Sequence, residues 1–276
     1  MKGGLVTPTP VALMLATAWG LGCGDVVTRP IVANALTTAD SSTVADTSTF
    51  DDTSTFDVTS TVDMSTTADI SADADASTGP PTSGQLLALL QAHPCTSANM
   101  VSQHLYSSSG GAVPNVPVCS LNGAIYYYSS MSIACDGRAG GGCPGLAQSY
   151  NPTTAFYNTK NMSLAAGITP YVVLPRDLQY AGLDTTRGGN VVAVIYKGQL
   201  AYAVFGDTGP IDGLGRASYA CAASVGVNPN PATGGVSSGV TYIVFVGAGT
   251  APADIEDQAA TKALGEQLAA ALIASN

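Results

Sequence analysis

Phe205-Gly206-Asp207-Thr208-Gly209-Pro210-Ile211-Asp212-Gly213-Leu214-Gly215-Arg216-Ala217-Ser218 is the stretch on which the fold turns. Upstream, Gln199 to Phe205 reads as a strand, and Gly206 is expected to end it just before a loop carrying Asp207. Ala217 to Val225 reads as a helix that follows this glycine-rich loop directly. A carboxylate at a strand end is held rigidly and faces solvent, so Asp207 is a candidate chemical group. The competing reading of Asp207 is structural, because an Asp before Gly-Pro caps loops.

Working outward, Ala124 to Tyr128, Val191 to Lys197 and Val240 to Val246 are further strands, rich in β-branched and aromatic residues. Lys197-Gly198-Gln199 reads as a tight hairpin. Gln85 to Ala92 is a short helical run, and Leu264, Leu268 and Leu272 mark one face of a helix within Pro252 to Ala274. On this reading Glu256 and Glu266 both lie on the C-terminal helix, and no Glu is left near the loops. The expected class is mainly β with flanking helices (α+β).

Six cysteines refine this. With Cys23 set aside, five remain, so at most two disulfides form within the domain. Proximity suggests Cys135 with Cys143 and Cys95 with Cys119, leaving Cys221 as a thiol on a buried helix face. A zinc site is the competing reading, but there is no Cys-x-x-Cys pair, and His93 and His104 lie outside the cysteine-rich stretch. No metal or other cofactor is expected.

The N-terminal third is different in kind. Lys2, the apolar stretch Val11 to Trp19 and Leu21-Gly22-Cys23 resemble a lipoprotein signal over residues 1–23, in which Cys23 would be lipidated. An ordinary secretory signal with a bystander Cys is the alternative; both imply export. Residues 24–83 hold ten Asp and one Arg. Between Thr37 and Thr78, Thr, Ser and Asp fill 29 of 42 positions, including the repeat Asp52-Thr53-Ser54-Thr55-Phe56-Asp57. Such a segment has too little to bury to offset its ordering entropy. It reads as a tether spanning about 45 Å as a flexible coil; a calcium-binding repeat would need glycines for its turns. The domain is expected over residues 84–276.

Composition then excludes whole classes of function. The 276 residues carry 9 Lys plus Arg against 19 Asp plus Glu, yet residues 84–276 are almost balanced at seven against nine. With no basic cluster, duplex nucleic acid is not an expected partner. No apolar run reaches the roughly 20 residues of a membrane helix, so membrane contact is expected only through a lipid anchor. A monomer is expected.

Together with Pro170-Tyr171-Val172-Val173-Leu174-Pro175 upstream and Gly234-Gly235-Val236-Ser237-Ser238-Gly239-Val240-Thr241-Tyr242-Ile243-Val244-Phe245 downstream, the Phe205 to Ser218 window resembles glycoside hydrolase family 75, the fungal-type chitosanases. The resemblance covers roughly residues 124–250. The strand and Gly-Asp-x-Gly-Pro loop are also similar to double-psi β-barrel proteins such as rare lipoprotein A, which implies a six-stranded barrel and, more weakly, contact with peptidoglycan. Family 75 enzymes hydrolyse β-1,4 bonds between glucosamine units with inversion, through an Asp in a Gly-Asp-Thr loop and a Glu in a Gly-Glu-Ala-Ser block. The resemblance therefore implies an amino-sugar polysaccharide, chitosan-like, as partner and places the Asp at Asp207.

The Glu position is Arg216, in Gly215-Arg216-Ala217-Ser218. Inversion needs one carboxyl to protonate the leaving oxygen and another to activate water. Arg has no acceptor and does not deprotonate near neutrality, so it does neither. Pointing into a cleft at 4 Å from a cationic sugar, it would repel it by about 4 kcal/mol at an effective dielectric of 20. It would also lower the pKa of Asp207 and keep it ionised, as suits a base. The family's Asp-x-Asp-x-Asp-Gly is here Ser132-Ile133-Ala134-Cys135-Asp136-Gly137, which keeps only Asp136.

Asp212 is the best stand-in for the missing acid, with Asp136 and Asp184 as further candidates; the alternative for Asp212 is a loop acid holding turn amides. Asp136, Tyr202 and Arg216 are expected to touch substrate, while some of Tyr126, Tyr127, Tyr128 and Tyr202 fill the core. Two functions follow. One is an exported chitosanase-like hydrolase with Asp207 as base and Asp212 as acid. The other is a non-catalytic cell-surface module whose groove holds a neutral or anionic glycan through Arg216.

Overall fold

The computed structural model describes residues 79–108, 111–143 and 150–276. The signal-like segment with Cys23 and almost all of the acidic stretch 24–83 lie outside these described residues. The central element is a closed barrel of six strands: β4 (Ala124–Ala134), β5 (Tyr171–Pro175), β6 (Val191–Tyr196), β7 (Gln199–Gly209), β9 (Arg216–Ser218) and β10 (Val236–Phe245). They pair in the order β10-β6-β7-β5-β9-β4, and β10 closes the ring on β4. β5 with β7 and β4 with β9 are parallel, and the other pairs are antiparallel. β3 (Cys119–Leu121) extends β4 outward. β1 (Tyr106–Ser108), β2 (Pro114–Val116) and β8 (Gly213–Leu214) form a small separate sheet.

Both faces of the barrel wall are covered, which is why its strands read as nearly unbroken apolar runs. On β6, Val192 and Val194 face the inner core with Tyr127, Tyr242 and Val244. Their neighbours Val191, Ala193 and Ile195 face outward under two helices, α1 (Ser83–Ala92) and α3 (Gln258–Ser275), which add Leu86, Leu90, Ala269 and Leu272. The helix starts are set by caps: Thr82 forms a capping box with Gln85, and Asp257 accepts from the Ala260 amide. α3 therefore begins after Glu256, so of the two glutamates only Glu266 is helical. Where α3 crosses β7, Gly265 leaves room for Tyr202; a Cβ there would lie 2.3 Å from its ring.

The expected hairpin is present between β6 and β7. Lys197 (φ 46°) and Gly198 (φ 82°) form the two-residue left-handed turn that matches strand twist. The Ser83 hydroxyl donates to the Gly198 carbonyl at 2.7 Å, so the chain joins the domain at this hairpin. Both proposed disulfides, Cys95–Cys119 and Cys135–Cys143, are formed, and Cys221 is a buried free thiol on α2 (Tyr219–Ser224). Two disulfides fit an oxidising, extracellular setting.

Two local expectations are corrected. β7 does not end at Gly206: Val172 pairs with Phe205 and Val173 with Asp207, so Gly206 is the extra residue of a bulge and the strand runs on to Gly209. A side chain at 206 would collide with Tyr171 at 2.6 Å, which explains the glycine. The expected helix starts two residues late: Ala217 and Ser218 belong to the strand β9, and the Ser218 hydroxyl caps α2 by accepting from the Cys221 amide at 3.1 Å.

Candidate functional site

The bulge at Gly206 sets Asp207 in register with Val173 on β5, and Val173 is in turn in register with Arg216 on β9. Three neighbouring strands thus carry Asp207, Val173 and Arg216 in one row, on the same face of the wall. Beyond β9, β4 ends at Ala134, and the chain turns through Cys135 to Asp136. The Arg216 Nη2 donates to Asp136 Oδ2 at 3.0 Å, and the Asn151 amide donates to Asp136 Oδ1 at 3.0 Å. The Tyr171 hydroxyl closes the group by donating to the Asp136 carbonyl at 2.8 Å.

Asp207 is 8% exposed, and its Oδ1 accepts from the amides of Ala155 (2.7 Å) and Thr208 (2.9 Å). Burial raises its pKa above the ordinary carboxylate value. The two amides oppose this, and the charges of Asp136 and Arg216 add smaller effects of opposite sign. Arg216 lowers the Asp207 pKa as expected, but its effect is smaller than that of burial, so the net shift is upward. Desolvation dominates, and the guanidinium is engaged with Asp136 instead. Burial also raises the Tyr171 phenol well above its usual value, with Asp207 and Asp136 adding to the rise.

A cleft of about 350 Å³ opens between Val173 and Arg216 of this row and the small β1–β8 sheet, lined by Ser107, Ser108, Val173, Gly209, Asp212 and Arg216 among others, and Asp207 is not part of its lining. Of the described residues that line it, Asp212 is the sole carboxylate and Arg216 the sole cation. Asp212 is exposed, and among the described residues its backbone carbonyl accepts from Ser107 N–H at 2.7 Å across the small sheet. Gly215, at φ 90° with the Ser130 carbonyl 2.5 Å from where a Cβ would be, turns the chain so that Arg216 faces this opening.

The structure therefore brings together Asp207, Asp136 and Arg216, with Asp212 on the cleft rim. Asp184 is elsewhere, its Oδ1 accepting from the amides of Thr186 and Arg187 in a turn. Tyr202 is not brought to Asp207: it lies under α3 against Gly265, in the outer core. Tyr126 and Tyr127 are buried, and Tyr127 stacks on Tyr242 with ring centres 4.7 Å apart. Tyr128 is exposed.

Glu256 was not anticipated. Its Oε2 accepts from Arg138 Nη2 (2.6 Å) and Asn158 Nδ2 (2.7 Å), and its Oε1 from the Ala165 amide (3.0 Å) and the Thr169 hydroxyl (2.8 Å). Burial alone would raise its pKa, but these four bonds outweigh it and hold the carboxyl below its usual value. One carboxylate thereby fastens the long β4–β5 connection, the segment whose Asn151 and Ala155 amides hold Asp136 and Asp207. Nothing local in the sequence marks it, since its partners lie far away in the chain.

Comparison with known proteins adds a decisive finding. The family model for the fungal chitosanases of glycosyl hydrolase group 75 matches residues 131–271, which take in Asp136, Asp207, Arg216 and Glu256. The chain belongs to this family. An endo-chitosanase C from Aspergillus oryzae is 31% identical over 134 residues, covering 46% of this chain and 33% of the relative. The chain thus spans about a third of the length of that curated relative. This chitosanase-family domain is chitosanase-like by family, and it carries a guanidinium at the cleft.

Proposed function

We propose that this exported chitosanase-family domain holds a β-1,4-linked amino-sugar polysaccharide in the Arg216 cleft without cleaving it. The observation that supports this is the Arg216–Asp136 ion pair, taken with the family resemblance, which implies that position 216 is where an inverting hydrolase carries its second carboxyl. Asp207 is sequestered, with one oxygen tied to two amides. Asp212, the carboxylate among the cleft's described residues, has no side-chain bond to another described residue to fix it, and acid–base catalysis depends on a fixed geometry. What remains is a walled groove with polar side chains, suited to recognising sugar hydroxyls and ring substituents.

Mixing the full chain with partly acetylated soluble chitosan, and measuring both retardation of the protein in a gel that contains the polymer and new reducing ends, tests this. Binding without turnover is the expected result, and sustained release of reducing ends overturns it. A second reading draws on one observation. Burial raises the Asp207 pKa, as suits a general acid, and Asp136 lies close enough to act on it electrostatically. In that case Asp207 and Asp136 would be the hydrolytic pair, and either Asp→Asn variant would abolish turnover.

Export is supported by the signal-like start at Lys2 to Cys23 and by the two disulfides. Lipid on Cys23 would anchor the chain at the cell surface, and intact-mass measurement of the mature protein tests it.

A further inference from the structure

We infer that the sugar seated against Arg216 carries an N-acetyl group rather than a free amine; this rests on the amino-sugar reading above. A guanidinium has five N–H donors and no acceptor, and a glucosamine ammonium has three donors and no acceptor. Set against each other they form no hydrogen bond, and their charges repel. An acetamido group offers a carbonyl oxygen, so the same guanidinium donates to it.

The geometry presents the donors and hides their counter-charge. The Arg216 side chain is 35% exposed and lines the cleft, whereas Asp136 is 14% exposed and does not. Among the described residues, one Nη2 bond to Asp136 is the only hydrogen bond the guanidinium makes, so its other N–H groups are available to a ligand. Space for an acyl group is present as well. Next to Arg216, Val173 gives the cleft an apolar wall against which a methyl group can pack, and a side chain added at Gly213 would meet nothing within 4 Å. Among the described residues that line the cleft, Asp212 is the one carboxylate and would pair with a free ammonium, so selection for the acetylated unit is confined to the Arg216 end. On the family resemblance, which puts a Glu at this position, Arg216 therefore does more than delete a carboxyl: it reverses the demand made on the sugar's nitrogen.

The test is titration calorimetry of the full chain in mildly acidic buffer, where free amines are protonated, with the β-1,4 hexamers of N-acetylglucosamine and of glucosamine. The acetylated hexamer is expected to bind at least about tenfold tighter, the effect of one hydrogen bond to a charged group. Arg216→Glu should reverse the order. Arg216→Gln, whose amide both donates and accepts, should shrink the preference below about threefold and serves if the Glu variant fails to fold. Equal affinities, or tighter binding of the glucosamine hexamer by the parent, overturn the inference while leaving the amino-sugar reading intact. Binding of neither hexamer overturns that reading and the inference with it.

Discussion

Replacing Arg216 by Met keeps most of the side chain's apolar stem and removes the cation that faces Asp136. Asp136 then keeps one amide bond, from Asn151, and a side chain only 14% exposed without its partner. Breaking a fully buried pair costs about 3–5 kcal/mol and an exposed one about 0–1 kcal/mol. With Arg216 35% exposed, the expected loss lies between these limits, at about 1–2 kcal/mol. For a domain of this size that is a fall of roughly 2–8 °C in Tm. Asp136→Asn should cost less, because the group left behind is the more exposed Arg216, which water can solvate. The double variant should cost less than the sum of the two, since neither charge is then stranded. Thermal denaturation of all four proteins at neutral pH gives the cycle. Additivity within about 0.3 kcal/mol, or a larger loss from Asp136→Asn than from Arg216→Met, would refute the argument that a half-exposed guanidinium shields a nearly buried carboxylate.

Three further outcomes are expected. Asp207 has a native pKa above its unfolded value, so its carboxylate costs stability at neutral pH and the cost disappears as pH falls below the unfolded pKa; Asp207→Asn should raise Tm at pH 7, and no gain there would contradict the burial. Glu256 has the opposite sign, its contribution being present above the unfolded pKa and lost as pH falls through the native one. Glu256→Gln should cost about 2–3 kcal/mol at neutral pH by stranding Arg138, with a penalty that shrinks in acid, as read from urea unfolding across pH. Gly265→Ala pushes a methyl group into the Tyr202 ring and should cost about 1–3 kcal/mol by overpacking, whereas Tyr202→Ala in the same background should recover part of the loss.

The parts of this fold that were legible in the sequence are those decided locally. Lys197-Gly198 announces its hairpin because the turn needs two left-handed residues. The cysteine pairs are close in sequence, and α3 shows its apolar face at every fourth residue. The site was legible only as far as the family pattern reaches, through Asp207 and Arg216. Gly206 reads as a strand end because a bulge is defined by the partner strand, β5, and not by the residues around the glycine. Arg216 finds its partner 80 residues away, and the four donors to Glu256 lie 87 to 118 residues from it. Such pairings exist only once the barrel has closed. Tyr202 illustrates the remaining gap, since an aromatic residue on a strand faces either a ligand or a covering helix, and only the placement of α3 decides which.

The bond from Ser83 to Gly198 has a practical side. Gly198 sits at one end of β7 and Gly209, on the cleft wall, at the other, so eleven residues of strand, roughly 35 Å, separate the two ends. A surface or sensor chip coupled close to Ser83 therefore grips the barrel by its far rim and leaves the cleft open, whereas coupling through the β1–β8 side would blind it. Orientation of the immobilised protein is in this sense written into the register of a single hairpin.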